Sequence, residues 1–210
     1  MKEKSGQKTL LASVILSSPG PIILGIGLLY GRSSTQIADF IRRTAEFVAI
    51  IVSWLTYKAT AKDPMADPVK KEKLERIANL CVGLAMSLSG IAMLLITFLS
   101  SHSEKGNVVL SLIIAILGAI TNLWFWLRYR KLNREEPNAI IAVQSKLYRA
   151  KALVNICVTT ALAAIAIAPT SPAAYYLDII GSVIVAIYLL VNGLMIVFKK
   201  SRLESNVGRD

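Results

Sequence analysis

Six apolar runs, each close to the length of a bilayer crossing and divided by short charged gaps, constrain this chain more than any other feature. They cover about 9–30, 36–57, 76–99, 108–127, a run starting within 142–167 and ending near 168, and 177–198. A helix needs about 20 mostly apolar residues to cross the hydrocarbon core, where backbone polar groups find no water. A chain that is 54% hydrophobic is too apolar for an ordinary soluble domain, so the runs predict an all-α polytopic membrane protein with six transmembrane helices. The expected parts are an N-terminal segment (1–8), a six-helix domain (9–198) and a short tail (199–210), with no soluble domain after it. The basic start MKEKSGQK precedes an apolar run that continues to Tyr30 without a clear small-x-small cleavage site, which favours an uncleaved first span. Ser18-Pro19-Gly20-Pro21 should kink or break that span, because proline removes backbone donors.

The net charge of +11 first suggests nucleic acid, but the cations lie in the gaps between apolar runs. No aromatic-and-basic surface pattern of a nucleic-acid module is present. Lys2, Lys4 and Lys8 precede span one, and Lys58, Lys62, Lys70, Lys71, Lys73 and Arg76 fall between spans two and three. Arg128, Arg130, Lys131 and Arg134 follow span four, and Lys199, Lys200 and Arg202 follow span six. The other side holds Arg32 and Lys105. The positive-inside rule then puts both termini in the cytoplasm, as six spans allow. The segments 58–75 and 128–138 read as polar loops. Trp124, Phe125 and Trp126 read as an interfacial belt, and Gly83, Ala85, Gly90 and Ala92 as small residues for close helix packing. Cys81 and Cys157 lie in apolar runs as packing residues, and His102 is incidental.

The charges that need explaining lie inside the runs. Asp39, Arg42, Arg43 and Glu46 occupy the start of span two. Each charge within a membrane helix costs about 2.5–3.5 kcal/mol on insertion scales, so four together mark a site in the bundle interior or a helix end that reaches water. Arg42 and Glu46 are four apart, as are Asp39 and Arg43, so opposite-charge pairs fall on one helix face. Lys151 in span five would meet Glu46 if spans two and five are neighbours. Asn122 and Asn155 add groups able to hydrogen-bond between helices. The bland alternatives are a structural salt-bridge network for the span-two group, a snorkelling cytoplasmic flank for Lys146 and Arg149, and an interfacial helix end for Asp178.

The order of these residues resembles the transmembrane domain of the cation diffusion facilitator (cation efflux) family. Ala38-Asp39-Phe40-Ile41-Arg42-Arg43-Thr44-Ala45-Glu46 follows the register of the family's span-two pattern, A-D-x-x-H-x-x-x-D or its Asp variant. Asp67-Pro68-Val69-Lys70-Lys71-Glu72-Lys73-Leu74-Glu75-Arg76-Ile77-Ala78 is similar to its following loop, keeping the Pro, Lys, Glu and Ala. Leu147 and Lys151 match the span-five H-x-x-x-D positions, and Leu177-Asp178 resembles the opening of its span six. The resemblance covers about 11–199 and implies a transporter, a divalent cation or proton as substrate, and a homodimer. It also implies four metal ligands, two on span two and two on span five. Here those positions hold Arg42, Glu46, Leu147 and Lys151, and only Glu46 is able to ligate a metal. The loop histidines and the family's cytoplasmic C-terminal domain have no counterpart in the sequence.

Two functions stay open. The first is a cation-diffusion-facilitator-like transporter, for an ion or divalent cation, with an atypical charge-paired centre built from Asp39, Arg42, Glu46, Lys151 and Asn155. Arg43, Asp178 and Asn122 are secondary in it. The second is a non-transporting relative, a membrane scaffold or partner subunit with a salt-bridge-locked core. No nucleophile–base pair or metal motif suggests an enzyme, and no cofactor is expected. The lipid bilayer is the expected partner, and the plasma (inner) membrane of a prokaryote the expected location.

Overall fold

The computed structural model describes residues 3–30, 34–62, 68–99, 108–167 and 172–207. Among them every regular element is a helix: α1 (Glu3–Ser17), α2 (Pro19–Tyr30), α3 (Ser34–Lys62), α4 (Pro68–Leu99), α5 (Val108–Glu135), α6 (Ala139–Ile167) and α7 (Pro172–Val207). The break expected at the prolines falls at Ser18. Pro19 cannot donate to the Ile15 carbonyl four residues back, and Ser18 supplies the missing partner: its Oγ donates to that carbonyl at 2.8 Å. The first run is therefore two short helices end to end.

Among the described residues four stretches are long and apolar enough to cross a membrane: Ser5–Ile26, Pro68–Phe98, Leu112–Glu135 and Ile179–Phe198. The other two expected crossings are the helices α3 and α6. Each has 29 residues, ample in length, and charged side chains interrupt the apolar run of α3.

The polar segments depart from the expected loops. α3 continues to Lys62 and α4 starts at Pro68, so most of 58–75 is helix. Proline suits a first helical position, since its missing N–H has no partner there anyway. The lysines and glutamates after it are good helix formers, and Arg76 closes an i,i+4 pair with Glu72 at 3.0 Å. In the same way α5 runs on to Glu135, which removes most of the predicted loop at 128–138. Asn138 starts α6 by accepting from the Ile140 and Ile141 amides at 2.9 and 3.2 Å. α7 likewise extends past Phe198 to Val207. His102 lies outside the described residues.

α4 packs along both α3 and α7, α5 along α6, and α6 also along α7, while α1 contacts α3 and α5. The α4–α7 contact is close because it is made of glycines. A Cβ on Gly193 would lie 2.7 Å from the Gly83 carbonyl oxygen and from the Ser87 amide. A Cβ on Gly90 would lie 2.8 Å from the Ala186 carbonyl oxygen. Gly83 and Gly90 thus pack as their small size predicts, and Ala85 and Ala92 are buried.

Near the α5–α6 turn the core is aromatic. Phe125, expected in an interfacial belt, is instead buried at 1% exposure, with ring centroids 5.0 Å from Tyr148 and 6.1 Å from Tyr129. Trp124 is exposed, consistent with a belt position. One helical turn separates Phe125 from Tyr129, so both rings share the face turned towards α6. The Tyr129 hydroxyl donates to Ser13 Oγ at 2.9 Å and ties α1 into this core.

Candidate functional site

Residues 39, 42, 43 and 46 are spaced i, i+3, i+4 and i+7, which puts them on one stripe of α3. Asp39, Arg42 and Glu46 face inwards, and Arg43 is exposed at the edge of the stripe. Arg42 donates to Asp39 Oδ1 from Nε at 3.0 Å and from Nη2 at 2.6 Å. Arg43 Nε donates to the other oxygen, Oδ2, at 2.9 Å. One carboxylate thus receives two guanidinium groups.

A turn further on, Glu46 is 6% exposed. Its Oε1 accepts from Ser89 Oγ of α4 at 2.8 Å, and its Oε2 lies 3.4 Å from Lys151 Nζ of α6. The Lys151 ammonium also sits 5.1 Å from the Tyr148 ring centroid, a cation–π contact one turn away on the same helix. Two turns beyond Glu46, Gln144 Nε2 donates to Ser53 Oγ at 2.7 Å. α3 and α6 therefore meet through long polar side chains rather than through close backbone approach.

The expected meeting of Lys151 with Glu46 is present. The i,i+4 partnership of Arg42 with Glu46 is replaced: Arg42 turns back to Asp39, while α4 and α6 take both oxygens of Glu46. An isolated helix offers Glu46 only its own neighbours, and the bundle offers better ones.

These side chains line a cavity of about 330 Å³. Its wall is formed by Ser17, Gly20 and Pro21 at the α1–α2 break, by Arg42, Arg43, Glu46 and Phe47 of α3, and by Thr121 and Asn122 of α5 with Lys151 and Asn155 of α6. Phe125 and Tyr148 also line it. Gly118 keeps room for Asn155, because a Cβ there would lie 2.6 Å from Asn155 Nδ2. Asn122 and Asn155 thus share one cavity wall with the charges, although neither makes a side-chain hydrogen bond to another helix among the described residues. The side chain of Asp178, on α7, lies outside the described residues. Lys146 and Arg149 are exposed and off the cavity, and the Arg149 guanidinium lies over the Trp126 and Tyr188 rings at 5.9 and 5.8 Å.

Three contributors were not singled out in the sequence, Ser17, Ser89 and Tyr148, and a fourth, Phe125, was assigned to the interface instead. Ser89 lies within an apolar run, where serine also serves as a small packing residue, so only the fold reveals its carboxylate partner. Tyr148 was legible in principle, being three residues before Lys151 and hence on its face.

The model of the cation efflux transmembrane domain matches residues 10–203, nearly the whole chain. The chain belongs to the cation efflux family. No curated protein matches it. Family membership together with the apolar helices makes it an integral membrane protein of a transporter family. In this cation efflux protein the positions that resemble the family's ligand pattern hold Arg42, Glu46, Leu147 and Lys151. Arg42 and Lys151 are cations held by carboxylates, and Leu147 is fully buried in the core. Among the described residues no three His, Cys, Asp or Glu side chains come together to hold a metal ion. Two fixed cations beside one carboxylate would also repel a dication in a low-dielectric setting.

Proposed function

We propose that this protein is a six-span transporter of the cation efflux type, with both termini cytoplasmic, whose centre between α3 and α6 works by charge pairing rather than metal ligation. The observation that carries the reading is the Lys151–Glu46 pair at 3.4 Å on the wall of the cavity. In this reading Lys151 supplies the positive charge that a bound dication would otherwise supply. A proton or cation that competes for Glu46 releases Lys151, and the loss of that bridge lets α3 and α6 move relative to each other. Asp39 and Arg42 hold the outer part of the stripe, Asn155 and Asn122 offer hydrogen bonds to the solute, and Arg43 and Asp178 are secondary. The bilayer is the surrounding partner, a homodimer the assembly, and a prokaryotic plasma membrane the location.

A second reading is favoured by the loss of ligand atoms at Arg42, Leu147 and Lys151: a non-transporting relative in which the buried pair is a permanent lock. Flux in proteoliposomes separates the two. Purified protein is tested with zinc, manganese, iron(II) and cadmium, each with and without a proton gradient, alongside Glu46→Gln. Proton-dependent flux that disappears in Glu46→Gln supports the transporter. A well-folded protein that moves none of these ions under either condition, and passes no proton current, supports the lock.

A further inference from the structure

The charges around the cavity do not balance. Among the described residues Arg42, Arg43 and Lys151 line it, and only Glu46 in its wall and Asp39 just behind them carry negative charge. Three cations face two carboxylates. The walls from α1, α2 and α5 contribute no charged side chain among the described residues. One positive charge is in net excess among these five groups, because Arg42 and Arg43 share the single carboxylate of Asp39.

The surplus has a location. Asp39 engages Arg43 through Nε alone, which leaves the two terminal nitrogens of that guanidinium without a partner among the described residues. Arg43 Nη1 faces the α1–α2 break, 3.5 Å from where a Cβ of Gly20 would stand. Paired guanidinium N–H groups present a planar fork that suits a carboxylate better than a spherical ion. Beside the fork the wall divides. Ser17, Thr121 and Asn122 are polar, and Leu16, Ile114 and Leu117 are apolar. A volume of about 330 Å³ lies at the small end of ligand cavities, sized for a compact solute rather than a long chain.

We propose that the cavity binds a small monocarboxylate with an apolar body, its carboxylate on Arg43 and Arg42 and its body against the leucine and isoleucine wall. This rests on the reading of the cavity as a solute site and names the ligand class for it. A monoanion restores neutrality, whereas a dication raises a charge that is already positive. A proton on Glu46 and a carboxylate on Arg43 are compatible, because neither takes the other's partner.

The test is a binding titration of the full-length protein in nanodiscs of zwitterionic lipid, using sodium benzoate with sodium chloride at equal ionic strength as control. Benzoate is expected to raise the unfolding temperature in a saturable way that chloride does not reproduce. Arg43→Gln is expected to weaken the apparent affinity at least tenfold. Asn122→Leu, which keeps the charge and nearly the volume, should weaken it several-fold and guards against loss of fold in the arginine variant. No benzoate-specific shift in the wild type, or an unchanged affinity in a folded Arg43→Gln, overturns the proposal. So does stabilisation by anionic lipid alone, lost in Arg43→Gln and without any response to benzoate, which would assign the fork to a lipid phosphate. The flux assay fails separately. Ion flux without benzoate binding ends this inference and leaves the transporter standing, and benzoate binding without flux of any ion or of labelled benzoate does the reverse.

Discussion

The α4–α7 and α3–α6 contacts are opposite solutions to holding two helices together. The first is made of absences. Gly83, Gly90 and Gly193 have no side chains, so the backbones approach until a single added carbon would strike a carbonyl. The second is made of reach. Lys151 and Gln144 extend from α6 to Glu46 and Ser53 on α3, and a cavity fills the space beside them. Dispersion between close backbones is local and unspecific to state, whereas a long side chain keeps its partner only while charge and distance allow. A protein that must move a solute gains from having both: a rigid pair to act as frame, and a pair whose contacts exchange.

The sharpest way to break this comparison is at Lys151. Lys151→Ala should destabilise the fold by about 3–5 kcal/mol, because it leaves the Glu46 carboxylate buried without its cation. The double variant Glu46→Gln/Lys151→Met should recover most of that loss, since replacing both partners removes the charge along with the bridge. Unfolding in mixed detergent measures both, and a double variant no better than the single one would refute the pairing. Next is Gly193→Val. Its branched side chain meets Ser87 Oγ and also the backbone of Gly83 and Ser87, which repacking of side chains cannot move, and a loss of about 3 kcal/mol is expected. The same assay should show this variant unfolding earlier without any change in ligand response.

Ser89→Ala should cost about 2 kcal/mol, the value of a hydrogen bond to a buried carboxylate. It should also ease any process that disturbs the Glu46–Lys151 pair, so a proton-driven flux should change while an α4–α7 variant leaves its coupling intact. The smallest effect is expected for Gly118→Ala. The new methyl meets only the amide end of Asn155, a flexible group that turns aside for about 1 kcal/mol or less. Its expected signature is a changed solute affinity with nearly unchanged stability, measured by the same benzoate titration.

Much of this molecule was legible before any coordinates. The apolar runs set an all-helical membrane protein, because hydrocarbon leaves backbone polar groups no other partner than their own helix. The register of Asp39, Arg42, Arg43 and Glu46 set a charged stripe on span two, because helical spacing is a local property. The prolines at 19 and 21 located the break, and the small residues of span three located a close contact. The errors were also local in origin. Lys70 to Arg76 look like a loop to a reading that equates charge with irregularity, but a helix leaving the membrane keeps its backbone bonds and turns its lysines to water. Phe125 looked interfacial among its neighbours in sequence, and the tyrosines that bury it come from one turn on and from another helix. Which carboxylate holds which cation was decided only by tertiary structure. Glu46 has Arg42 within its own helix and takes Lys151 and Ser89 instead, because the packing of α3 against α4 and α6 brings those groups to it. The sequence determined that the charges would fall on one helical face. The bundle decided their partners and the cavity they share, since both depend on distances between segments far apart in the chain.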